Sequence, residues 1–186
     1  GQPIHVFDYD KIKGSKIDIR FAKSNETINC LDHAEKKLDN KDIVIADSKE
    51  PIAIAGVIGG LNSHIDKNTK HLLIETAVFD EVCIRKTSKK HNYIKDASKR
   101  FERGVDVQNV INVMDKFIYL LLKISNGDVS KDFLDLYDKK DDTNKIVFDL
   151  NSCSKFLGVD LLNEDIDKIF DNLNITFANK RSIYKC

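Results

Sequence analysis

Apolar and polar positions alternate from Lys16 to Arg20, where Ile17 and Ile19 stand between charged neighbours. A period of two gives a strand one apolar face and one polar face. Ile43-Val44-Ile45-Ala46 is a short apolar run between Asp42 and Asp47, and Leu72-Leu73-Ile74 leads into Glu75. Ile52 to Ile58 is β-branched and alanine-rich and ends at Gly59-Gly60. These three runs also predict strands, the last closing on a glycine turn where backbone can approach a ligand. The first 80 residues therefore read as mostly β.

After Phe79 the period changes. Val107, Val110, Ile111, Met114, Phe117, Ile118, Leu121 and Leu122 recur at three- and four-residue steps before Asn126-Gly127, which predicts a helix with a core-packing stripe and a glycine stop. Residues 128–144 are charged and turn-rich around Asp138-Lys139-Lys140-Asp141-Asp142, and read as a linker. Beyond it, Ile146 to Leu150 predicts a strand. Asn151 or Ser152 can cap a helix ending near Gly158, and Asn163 can cap another running through Leu173. Ile175-Thr176-Phe177 predicts the start of a further strand. The expected fold class is α+β: a mixed-sheet domain with packed helices over residues 1–127, the linker, and a small α/β unit over 145–186 that stops before it closes.

Composition narrows the function classes. The 186 residues carry 30 Lys and Arg against 30 Asp and Glu, and 41% are hydrophobic. That composition fits a folded chain and argues against a protein wholly given to coating nucleic acid. The charge is nonetheless uneven. Between residues 85 and 103, Arg85, Lys86, Lys89, Lys90, Lys95, Lys99, Arg100 and Arg103 face only Asp96 and Glu102, a basic segment able to guide an RNA end. Cys30, Cys83, Cys153 and Cys186 are far apart and form no C-x-x-C pair, so four reduced thiols are expected. No apolar run approaches the ~20 residues of a membrane span. A soluble, cytoplasmic protein is the expectation, and the start at Gly1-Gln2-Pro3 reads as a piece of a longer polypeptide.

Metal-ligand spacing, a P-loop and a nucleophile elbow are all missing from the sequence. Two residues stand out on pattern: Glu75, a carboxylate ending a strongly apolar strand, and His5, close to Asp8 and Asp10. Each has an ordinary structural reading, Glu75 as a partner for a cation at a sheet edge and His5 as a packed or exposed histidine.

Three blocks in a fixed order change that weighting: Gly1-Gln2-Pro3-Ile4-His5-Val6-Phe7-Asp8; Ile45-Ala46-Asp47 with Ala53-Ile54-Ala55-Gly56-Val57-Ile58-Gly59-Gly60; and Asp96-Ala97-Ser98-Lys99-Arg100-Phe101-Glu102-Arg103-Gly104-Val105-Asp106. Together they resemble the B3/B4 region of the bacterial-type phenylalanine-tRNA ligase beta subunit over about residues 1–125, and the segment from Ile146 resembles the start of that subunit's B5 domain. The resemblance implies a heterotetramer of two alpha and two beta subunits that uses ATP and magnesium as a whole, with no cofactor or metal in this segment. It also implies hydrolysis of mischarged tyrosyl-tRNA(Phe), with the acceptor end of tRNA(Phe) and a tyrosine or phenylalanine ester as partners. The alternative is a non-catalytic scaffold or tRNA-binding module of the same synthetase.

By position, the resemblance implies that Glu75 receives the tyrosine hydroxyl, Gly59 and Ala97 leave room for the ring, and His5 stands near the scissile ester as the catalytic group. Lys95 stands where the family commonly has threonine, and is expected to contact the tRNA end, neutralise Glu75 or block the pocket. Arg100, Glu102, Arg103 and Asp106 alternate in sign and are expected to form an ion-pair network that positions the long helix.

Overall fold

In the computed structural model, which describes residues 1–131, 133–137, 146–180 and 182–186, the apolar runs of the N-terminal region form antiparallel strands. β1 (His5–Asp8) pairs with β8 (Leu72–Glu75). A four-stranded sheet has the order β2 (Asp18–Phe21), β5 (Ile43–Ala46), β6 (Pro51–Ile54), β7 (Ile58–Gly59). A small ribbon of β3 (Thr27–Asn29) and β4 (Glu35–Lys37) was not anticipated from the sequence. β6 is buried at all four positions, as a continuous apolar run requires of a central strand. Phe7, Val44, Ile45, Ile52, Ile54 and Ile84 form the heart of this core.

The run from Ile52 to Ile58 is not one strand. Gly56 adopts φ +65°, and the chain folds back so that Ile54 pairs with Ile58. A Cβ at Gly56 would lie 3.0 Å from each of Ile84, Phe79 and Phe101, so both conformation and space demand glycine there. The turn thus precedes Gly59, which lies within β7 itself.

α1 (Glu81–His91) escaped the periodicity reading because its buried positions are Ile84, Thr87, Ser88 and His91. The spacing is helical, but three of the four are polar. Asp80 caps its N-terminus by accepting from the Cys83 N–H at 2.7 Å, and Asn92 ends it in the left-handed conformation. Its polar face meets Asp42, a residue only 1% exposed, which accepts from Thr87 Oγ1 at 3.0 Å and Lys90 Nζ at 2.6 Å and lies 3.1 Å from His91 Nε2. α2 (Asp96–Phe101) is a short helix that buries Ser98 and Phe101.

The predicted long helix exists as a 3-10 turn (Val107–Asn109) followed by α3 (Val110–Ile124). Its stripe is not core, however: no α3 residue is buried, Met114, Phe117, Ile118 and Leu121 are half-buried, and Ile124 is 85% exposed. The ion-pair network expected of Arg100, Glu102, Arg103 and Asp106 is not formed either. Among the described residues none of the four makes a salt bridge.

The chain divides into two units, residues 1–131 and 132–186. In the second, β9 (Val147–Asp149), α4 (Leu150–Leu157), α5 (Asn163–Asn172), β10 (Ala178–Lys180) and β11 (Ile183–Lys185) form a three-stranded sheet of order β10-β11-β9 with two helices. Asp149, rather than Asn151 or Ser152, caps α4, and Gly158 ends it in the left-handed conformation. The strand expected at Ile175–Phe177 begins instead at Ala178. The unit does enclose a core: Tyr184, with no exposed surface, lies among Phe148, Phe170 and Phe177 with ring centroids 5.4–5.7 Å away. The charged heart of the linker, residues 138–142, falls outside the described residues. All four cysteines are free, and among the described residues no helix is long and apolar enough to cross a membrane.

Candidate functional site

The pairing of β1 with β8 sets His5 directly opposite Glu75. Opposed residues of an antiparallel pair put their side chains on the same face, with Cβ atoms about 5 Å apart. That face opens on a cavity of about 70 Å³ lined by His5, Gly59, Glu75 and Ala97 together with Pro3, Ile4, Phe79 and Phe101. The volume is several times the ~10–15 Å³ that admits one water. Four of the five residues singled out from the sequence meet here, from β1, β7, β8 and α2.

Lys95 is not among them. It is exposed at the N-terminal boundary of α2, where its backbone N–H donates to Ser98 Oγ at 3.0 Å and its Nζ lies 5.3 Å from the centre of the Tyr93 ring. It neither pairs with Glu75 nor fills the cavity. The aromatic ring gives the cation a favourable place outside the pocket, which a reading by position along the chain could not register.

Gly59 acts differently from expectation as well. A Cβ on it would stand 2.6 Å from His5 Cε1 and 2.8 Å from Nε2, so the space left by the missing side chain is taken up by the imidazole. The ring also makes an edge contact with Phe7, centroids 4.4 Å apart. Burial lowers the His5 pKa, so the ring is neutral at pH 7 and retains a nitrogen lone pair.

Glu75 has the opposite shift. Burial pushes its pKa up to about 7, and no hydrogen bond or salt bridge to a described residue offsets the loss of water. A carboxyl in this state accepts a hydrogen bond from a ligand hydroxyl at little further desolvation cost. The apolar walls Phe79 and Phe101, packed edge to face at 5.1 Å, and the Gly56 turn beneath them were not identified from the sequence. The only signal for them was the apolar character shared by every core position. Among the described residues there is no group of three or more His, Cys, Asp or Glu that could hold a metal ion.

A family model described as the B3/4 domain matches residues 1–126. The phenylalanine-tRNA ligase beta subunit of Fusobacterium nucleatum is 42% identical over 174 residues, which are 94% of this chain and 22% of that protein. The beta subunit of Aquifex aeolicus is 42% identical over 175 residues, again 94% of this chain and 22% of that protein. An N-terminal fragment of the phenylalanyl-tRNA synthetase beta subunit from Pyrococcus horikoshii aligns over 98% of this chain and 52% of its own, with a TM-score of 0.46 and 18% identity. The chain spans about a fifth of the length of the curated relatives it matches.

Proposed function

The chain belongs to the B3/4 domain family, and from that premise we propose that it is the editing segment of a phenylalanine-tRNA ligase beta subunit, hydrolysing the ester of tyrosyl-tRNA(Phe). The partners on this reading are the alpha subunit and the acceptor end of tRNA(Phe). ATP and magnesium serve the synthetic reaction of the whole enzyme, and no step here is routed through them.

A second site answers a limit of the first. Tyrosine differs from phenylalanine by one hydroxyl, and an apolar pocket rejects an added hydroxyl by only roughly a hundredfold. A site that instead requires the hydroxyl can select the wrong product. The observation that carries the proposal is Glu75: a half-buried carboxyl with no hydrogen bond or salt bridge to a described residue, facing a cavity whose other walls, His5 apart, are apolar or glycine. A phenol fills its empty acceptor position, whereas phenylalanine leaves it unpaired at a cost of about 1–3 kcal/mol.

In the reaction, a water oxygen bonds to the ester carbonyl carbon, the bond from that carbon to the ribose oxygen breaks, and a proton ends on the ribose oxygen. The neutral His5 imidazole offers a lone pair to the attacking water and orients it. Phe7 and Gly59 fix the ring so that this orientation is built in before substrate arrives.

Deacylation of purified tyrosyl-tRNA(Phe) by the intact parent enzyme tests the reading. Glu75→Ala is expected to lower the preference for tyrosyl over phenylalanyl esters by roughly 5- to 150-fold, the equivalent of 1–3 kcal/mol. Hydrolysis by the unmodified enzyme no faster than in buffer would sink the proposal.

A further inference from the structure

The loop joining β3 to β4 reaches the histidine of the cavity from outside it. The loop is a closed turn: the Cys30 N–H donates to the Ala34 carbonyl at 2.9 Å, the His33 N–H to the Cys30 carbonyl at 2.8 Å, and His33 adopts φ +64°. Its first residues are anchored on β7 and the glycine after it, since Cys30 bridges to Gly60 and the Leu31 N–H donates to the Gly59 carbonyl at 3.0 Å. Leu31 therefore lies against Gly59. A Cβ at that glycine would stand 3.1 Å from Leu31 Cδ1 and 2.6 Å from His5 Cε1, so the leucine side chain and the imidazole are neighbours over the same stretch of backbone. Leu31 is not itself a wall of the cavity, and it reaches the site only through His5.

The next residue ties the loop to the helices. Tyr93, buried in the connection from α1 to α2, donates its hydroxyl to Asp32 Oδ1 at 3.0 Å. Burial pushes the Tyr93 pKa up, so the hydroxyl remains a donor. Lys36 Nζ, from β4, and Lys95 Nζ, from the start of α2, lie 4.9 Å and 5.3 Å from the centre of the Tyr93 ring, and each attraction favours the ring where it stands. Lys95 thus belongs to the support of the pocket although it lies outside it.

We propose that Leu31 is a positioning residue for the hydrolytic reaction, holding the His5 imidazole in one orientation and away from bulk water. The hydrogen bond from Tyr93 to Asp32, with Lys36 and Lys95 on the ring, keeps Leu31 in place. The catalytic part of this assignment rests on the editing function proposed above; the placement of the ring does not. A lone pair can orient a water only if the ring that bears it does not turn, and supporting side chains of this kind fix it. Leu31 is 42% exposed and contributes little to the core, so its truncation is read at His5 rather than in folding.

One measurement needs no substrate. In the 186-residue chain the His5 Cε1–H resonance, identified by its loss in His5→Gln, is followed by NMR from pH 5 to 8. Leu31→Ala admits water to the ring, so His5 is expected to titrate at higher pH than in the unmodified chain, while His64, His71 and His91 titrate as before. Leu31→Met, which restores a long apolar side chain, should reverse the change, and Tyr93→Phe, which releases Asp32, should act in the same direction as Leu31→Ala. If Tyr93→Phe fails to melt cooperatively, Asp32→Ala at its exposed position breaks the same bond. In the intact parent enzyme Leu31→Ala is expected to lower kcat for tyrosyl-tRNA deacylation by roughly 10- to 100-fold with KM little changed, the mark of a misplaced reacting group rather than of lost binding. An unmoved His5 titration in Leu31→Ala would overturn the proposal, as would an unchanged kcat in a parent enzyme that deacylates. A Tyr93→Phe chain that melts earlier but titrates like the unmodified one would make the bond to Asp32 structural only and remove that part. Absence of hydrolysis by the unmodified enzyme would sink the editing reading alone, because the titration involves no ester.

Discussion

Gly59 and His5 are coupled through a single missing methyl group. Gly59 lies in ordinary strand backbone, so Gly59→Ala adds no left-handed strain, but its Cβ would overlap the imidazole at 2.6–2.8 Å. The ring has to rotate. We expect tyrosyl-tRNA deacylation to fall by roughly 100-fold, the scale of an ångström-sized displacement of a reacting group, with little change in melting temperature. Ala97→Trp affects the other wall, filling the cavity of about 70 Å³, and is expected to abolish hydrolysis of tyrosyl and phenylalanyl esters alike. Steady-state deacylation beside a thermal melt distinguishes the two. At this scale the sequence was informative about membership of the cavity: His5, Gly59, Glu75 and Ala97 all line it. It was less informative about what each does. Gly59 accommodates a protein ring in addition to bordering the ligand space, and Lys95 turns outward to Tyr93, because both outcomes depend on neighbours far away along the chain.

Elements were legible where burial is apolar and illegible where it is polar. β5 and β8 follow from their runs, whereas α1 buries Thr87, Ser88 and His91 and has no hydrophobic period to read. What fixes α1 against the sheet is Asp42. Burial alone would raise its pKa, but hydrogen bonds from His91, Lys90, the Asp39 N–H and Thr87 outweigh that and hold it well below the usual carboxylate range. Asp42→Ala removes the shared acceptor and leaves its donors facing a hole. A loss of about 3 kcal/mol is expected, seen as a lower urea midpoint with an unchanged m-value. The Gly56 turn is the other hidden device. It breaks a run that reads as one continuous strand, and φ +65° is legible only in coordinates. Gly56→Ala combines left-handed strain with three close approaches at 3.0 Å and should cost about 2 kcal/mol or more by the same measurement.

Across the whole molecule, Glu75 and Asp42 make stability depend on pH in opposite senses. Asp42 has a depressed folded pKa, so its contribution is present above about pH 4 and is lost as the pH falls toward its folded value. Glu75 is raised from 4.5 to about 7, so the folded state holds a proton that the unfolded chain has already released. Between these two values stability must fall as pH rises, and above pH 7 the penalty of a half-buried carboxylate with no described partner applies. The difference corresponds to about 3 kcal/mol, reduced to about 2 for the access to solvent that Glu75 keeps through the cavity. Stability should therefore peak near pH 5 rather than at the sequence pI of about 7.1, where the net charge vanishes. Glu75→Gln, which keeps the shape and removes the ionisation, should leave the acid limb in place and flatten the decline from pH 5 to 8. Its advantage over the unmodified chain should be near zero at pH 4 and grow to about 2 kcal/mol by pH 8. Urea unfolding at four pH values across that range measures this. A constant difference between the two proteins would mean that Glu75 is ionised and solvated at neutral pH, and a ligand hydroxyl would then gain little from meeting it.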